Sequence, residues 1–147
     1  MMRVRTILPT LLAFACAFAG ALFGGELDDR VKAIGRAKSA QERYDIVKEL
    51  REKGDEARDA LRAGLKDEND SVRAESIRLL AALKNEADLD DLLKIAANID
   101  EKHEVRIAAV YSLQHYTKNA DKVRSHLLSR YKSADVEQAE RVALLEG

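Results

Sequence analysis

The chain has 147 residues, with 25 Lys and Arg against 26 Asp and Glu for a formal charge of −1, and it holds one cysteine and one proline. That length suffices for one domain with a modest core. All 26 acidic residues but only 23 of the 25 basic ones fall after position 25, so that part carries a formal −3 with the signs interleaved, which argues against the basic stripe of a nucleic-acid binder.

The first 25 residues differ from the rest. Arg3 and Arg5 precede a run from Ile7 to Phe23 that is apolar apart from Pro9, Thr10 and Gly20. Ala17-Phe18-Ala19 and Ala19-Gly20-Ala21 then offer the small-x-small pattern that signal peptidase reads. This order predicts a secretory signal peptide over 1–25, removed on export, with 26–147 periplasmic or secreted. The alternative is an uncleaved anchor, for which the apolar run is marginally short. No basic residue occurs between Arg5 and Arg30, so either version leaves the remainder outside the cytoplasm. Ala13-Phe14-Ala15-Cys16 resembles a bacterial lipobox, with Ala13 where that pattern has a branched aliphatic and an apolar stretch where it has a polar tether. Membrane attachment is thereby limited to an uncleaved N-terminus or a lipidated Cys16. Beyond position 25 there is no cysteine and hence no disulfide.

Residues 26–147 contain no proline, and no glycine lies between Gly64 and Gly147. Missing breakers and abundant Ala, Leu, Glu, Lys and Arg predict an all-α chain. In chain order, Leu27, Val31 and Ile34 share one helical face, as do Ala57, Ala60, Leu61 and Leu65; Leu89, Leu92, Leu93 and Ala96; and Val123, Leu127 and Tyr131. Lys53-Gly54-Asp55, Lys84-Asn85-Glu86 and Lys118-Asn119-Ala120 read as helix ends, where Gly or Asn tolerates the left-handed conformation and Lys suits the negative end of the dipole. Ser39 and Glu42 read as a capping box.

Two strings, Ser71-Val72-Arg73-Ala74 and Glu104-Val105-Arg106-Ile107, stand 33 residues apart and mark a fixed-period repeat. Arg43 and Arg141 extend the column to four. Four positions beyond these arginines lie Val47, Ile77, Val110 and Leu145; seven beyond the first three lie Leu50, Leu80 and Leu113. The register predicts a short α-solenoid, or superhelix, of about four antiparallel helix pairs: 27–38 with 41–52, 56–66 with 71–84, 87–98 with 103–117, and 120–132 with 136–146.

Asp70-Ser71-Val72-Arg73-Ala74-Glu75-Ser76-Ile77-Arg78-Leu79-Leu80, followed by His103-Glu104-Val105-Arg106-Ile107-Ala108-Ala109-Val110, resembles the second helix of HEAT repeats, particularly the short bacterial HEAT-like type. The outer repeats depart from it, with Glu42 and Glu140 in place of the valine. The turn proline is absent, and Asp70 has Ala40, His103 and Gln138 as counterparts. TPR repeats are the alternative, but their Trp, Gly and Pro markers are missing.

No catalytic constellation emerges. His103-Glu104 starts a zinc-protease motif that fails at Ile107, and His115 and His126 have no ligand partner at metal spacing. No phosphate loop or nucleophile elbow occurs. Asp67/Glu68 and Asp90/Asp91 fall at turns or helix starts, where dipole stabilisation accounts for them. No enzyme activity, cofactor or metal is expected. The repeat arginines Arg43, Arg73, Arg106 and Arg141 read as scaffold, bonding the turns of their own and neighbouring repeats.

The resemblance implies that the second helices line a concave surface, which makes Lys48, Arg78, Tyr111 and His115 the candidate partner-binding residues, with Tyr111 and His115 read as i and i+4 on one face. Tyr116 and Tyr131 are expected to pack inside. The expected function is an exported scaffold for a protein or peptide. The alternatives are a structural spacer or subunit of a larger envelope assembly, and a HEAT-like lyase. Homo-oligomers through the end repeats are allowed for, the last helix offering Val136, Ala139, Val142 and Leu145.

Overall fold

The computed structural model describes residues 25–132 together with 141, 142 and 145. The signal-peptide segment with Pro9 and Cys16, Val136, Gln138, Ala139, Glu140 and Gly147 lie outside the described residues. Among the described residues there is no strand, and no helix is long and apolar enough to cross a membrane.

Helix α1 covers 25–36 and α2 covers Ala40–Lys53. A 3-10 turn, Gly54–Ala57, leads into α3, Arg58–Gly64, and α4 follows as Asp70–Leu83. A second 3-10 turn, Glu86–Asp88, leads into α5, Leu89–Ala97, followed by α6, His103–Leu113. A third, Thr117–Asn119, leads into α7, Ala120–Tyr131, and 141, 142 and 145 are helical. The paired pattern thus matches the expected all-α solenoid, with a 3-10 turn ahead of each first helix after α1.

The ends differ in detail from the sequence reading. Ser39 Oγ accepts from the Glu42 amide at 3.1 Å, but Glu42 Oε2 accepts from the Lys38 amide at 2.7 Å, one residue before the reciprocal partner of a capping box. Gly54 has φ +56 and closes α2. At the next boundary Lys84, not Asn85, takes the left-handed conformation, with φ 55 and ψ 29. Asn85 is extended, and its side chain accepts from the Ala87 amide at 3.1 Å, so it opens the following turn. Helix α6 stops at Leu113 rather than 117, which leaves Lys118-Asn119 inside the third 3-10 turn.

Helix α4 is the keystone. Its Val72, Leu79 and Leu80 join Val31, Ile34, Ile46, Leu50, Ala57, Ala60 and Leu61 in one buried cluster. Its Ala74, Ile77 and Ala81 join a second cluster with α5, α6 and α7. Each large aliphatic side chain buried this way contributes on the order of 1.5–3 kcal/mol. Val47, expected in the core register, is half-buried against the first cluster, and Leu145 is 71 % exposed.

Candidate functional site

The repeat arginines sit at the turns between paired helices. Arg73 Nη1 donates to the carbonyls of Asp67 at 2.7 Å and Glu68 at 3.0 Å, while its Nη2 meets Asp70 and Glu101, both at 2.7 Å. Glu101 belongs to the next repeat, so this fork ties two turns together. The bond to Glu101 is the main cause holding the Arg73 pKa above its usual value, against the cost of burial. Arg106 is buried and donates to the carbonyls of Ile99 and Glu101. Arg141 donates to the Tyr131 carbonyl at 2.8 Å and lies 5.4 Å from that ring's centre. Arg43 departs from the set: it is exposed, and among the described residues it has no side-chain partner.

A second ladder joins the first helices and was not read from the sequence. Asp88, 1 % exposed, accepts from Arg58 Nε and Nη2, both at 3.0 Å, with Arg62 at 3.5 Å. Arg62 also meets Asp91 at 3.0 Å. Asp90 pairs with Lys122 of α7, which holds the Asp90 carboxyl below its usual range, and Glu86 faces Lys118 at 3.9 Å. Asp90 and Asp91 therefore stand at the helix start as expected, but each also bonds a cation of an adjacent repeat. Asp90 belongs to a sequence period, Asp28, Asp59, Asp90 and Asp121 recurring every 31 residues near the starts of the first helices, but the buried Asp88 does not.

The candidate binding residues are separated by burial. Lys48 and Arg78 are exposed on α2 and α4, tied only to neighbours on their own helices, Glu52 at 3.9 Å and Glu75 at 2.8 Å. Such pairs are worth at most a few tenths of a kcal/mol and yield readily to a partner. Tyr111 is half-buried against the second cluster. His115 is exposed in the turn beyond α6, so it does not continue the helical face of Tyr111.

Tyr116 is 3 % exposed, packed as expected between repeats, and among the described residues its hydroxyl has no hydrogen-bond partner. Burial, with the Asp88 charge adding and Arg58 opposing, pushes this phenol up to about 12. A groove of about 440 Å³ lies at the end of α6 against α7, lined among others by Leu113, Tyr116, Val123, Leu127, Tyr131 and Leu145. Among the described residues no group of three or more His, Cys, Asp or Glu side chains could hold a metal ion.

No curated protein and no solved structure matches the chain. A family model does: the one described as HEAT repeats matches residues 27–114, from α1 through the end of α6. Repeats of this kind typically form non-catalytic scaffolds for protein–protein interaction. With its helix pairs stacked through α4 and its central turns tied by Arg73 and Arg106, the chain belongs to the HEAT repeat family.

Proposed function

We propose that the protein is an exported HEAT-like scaffold that binds a protein or peptide through the outward faces of its second helices. The observation that carries this reading is the division of α4. Seven of its residues are buried in the two flanking repeats, and what it offers to solvent is a strip with Arg78 and Ala82. The strip continues onto α2 as Lys48 and Glu52, thirty residues earlier, and onto the end of α6 as half-buried Tyr111, with His115 exposed in the turn beyond. A rigid face with loosely held charges and an aromatic edge suits recognition by side chains of a partner. Export rests on the order of charge, apolar run and small residues within 1–25.

Proximity labelling from the full chain in its native cell, read with mass-spectrometric mapping of the mature N-terminus, tests both parts. A start near residue 26 and one strongly labelled envelope protein, lost in the K48E/R78E double variant, are expected. A retained N-terminus in the cytoplasm, or labelling unchanged by the double variant, contradicts the reading.

A further inference from the structure

The second helices use their forward flanks differently. In α4, Ala74, Ile77 and Ala81, at i, i+3 and i+7, are 6, 0 and 0 % exposed and fill the cluster shared with α6. Thirty residues earlier the same three positions on α2 are Tyr44, Val47 and Arg51. Val47 is half-buried, Tyr44 is 62 % exposed and Arg51 is exposed, although α4 follows α2 just as α6 follows α4. Alanines at 74 and 81 let the next helix close over α4. A phenol and a guanidinium at 44 and 51 leave the matching flank of α2 open.

The charge on that flank is uncompensated. Among the described residues, the arginines whose side chains make no hydrogen bond or ion pair are Arg36, Arg43 and Arg51. Arg43 and Arg51 both lie on the flank of Val47, one turn to either side of it. The carboxylates of α2 are all engaged elsewhere: Glu42 with the Lys38 amide, Asp45 with Gln41, Glu49 with Arg30 and Glu52 with Lys48. Two free guanidinium groups therefore flank an exposed aromatic ring on one regular helix. Guanidinium binds carboxylate through paired, charge-assisted hydrogen bonds, and its planar face also accepts stacking.

We propose that the α2 flank formed by Arg43, Tyr44, Val47 and Arg51 is a docking site for an acidic peptide. The two arginines are eight residues apart, about 12 Å along the helix axis, which an extended peptide covers in roughly three or four residues. The fitting ligand has two carboxylates at that separation with an apolar side chain between them, seated on Tyr44 and Val47. This site rests on the scaffold reading above and names the class of its ligand.

The test is selection of a random dodecapeptide library on phage against the full chain, followed by titration of the enriched peptides by fluorescence anisotropy. Enriched peptides are expected to be net acidic, with carboxylates three or four residues apart around an apolar residue. The R43Q/R51Q variant is expected to weaken them tenfold or more and Tyr44→Ala severalfold, while K94Q/R124Q, on the first helices, leaves them within twofold. Circular dichroism melts of R43Q/R51Q should match the parent, since neither side chain has a partner among the described residues. Neutral or basic peptides overturn the site. So does acidic-peptide binding that survives R43Q/R51Q and fails in K48Q/R78Q, an outcome that keeps the scaffold reading and moves the site. No enrichment also overturns the site, and the scaffold reading is then decided by the labelling experiment alone.

Discussion

Gly64 shows how a single residue sets the approach of three helices. A Cβ there would stand 2.3 Å from Ser76 Oγ and 2.8 Å from Val31 Cγ1, so α1, α3 and α4 meet where only hydrogen fits. Gly64→Ala should therefore destabilise by about 1–3 kcal/mol in urea titration, despite the better helix propensity of alanine. Combining it with Ser76→Ala should recover part of that loss by removing the shortest contact. Tyr116 gives a signature in alkali. Its phenol ionises near 10 when unfolded and near 12 when folded, so its contribution is complete below pH 10 and is lost as pH rises from 10 to 12. Tyr116→Phe should flatten the melting profile over that interval. His126 gives the opposite limb. Burial, and secondarily Arg130, lowers its pKa below the usual 6.5. Stability is then complete above about 6.5 and declines as pH falls through the folded value. His126→Gln should reduce the fall in melting temperature between about pH 7 and 5. The burial of Tyr116 was legible in the sequence, but the rest of these three environments was not. The partners of Gly64 come from α1 and α4, and the charges near Tyr116 come from the starts of α3 and α5.

Helices were the most legible level, because their apolar positions repeat with a fixed period and no proline interrupts them. Leu89, Leu92, Leu93 and Ala96 were assigned to one face from spacing alone, and all four are buried. Helix ends were less legible, since several residue types can close a turn. Asn85 looked like the residue closing α4, but it caps the next turn, and Lys84 bears the left-handed backbone. A lysine there is held in a conformation that glycine adopts freely, so Lys84→Gly should raise stability by about 0.5–1 kcal/mol in thermal or urea unfolding. The Asp88 ladder is the other element-scale feature. Its exposed members contribute little, whereas Asp88 is buried and paired with Arg58. That pairing raises the Arg58 pKa against the opposing effect of burial. Asp88→Ala should cost about 1–3 kcal/mol by stranding Arg58, and the R58M/D88L pair should lose much less in a double-mutant cycle. Asp88 escaped the sequence reading because its neighbours Asp90 and Asp91 already had a sufficient explanation in the helix dipole.

For the molecule as a whole, the two Val-Arg strings located the best-formed repeats, and those repeats enclose α4, the helix that belongs to both buried clusters. Arg73 and Arg106 bond turn carbonyls on either side of it and Arg141 bonds the Tyr131 carbonyl, while Arg43 has no side-chain partner among the described residues. A period in the sequence thus reports stacking, since stacking repeats the same demand on every unit. It reports recognition poorly, because a binding face need satisfy only an outside partner. Tyr111 stood in the expected column and proved half-buried, whereas Arg43, counted among the scaffold arginines, is exposed and without a side-chain partner among the described residues. Photocrosslinking distinguishes most directly between a recognition scaffold and an inert spacer. Benzoylphenylalanine is placed in turn at Lys48 and Arg78 on the second helices, and at Lys94 and Arg124 on the first. A single partner captured from positions 48 and 78 and absent from 94 and 124 is the expected result. Capture from all four positions alike, or from none, would contradict a binding face on the second helices.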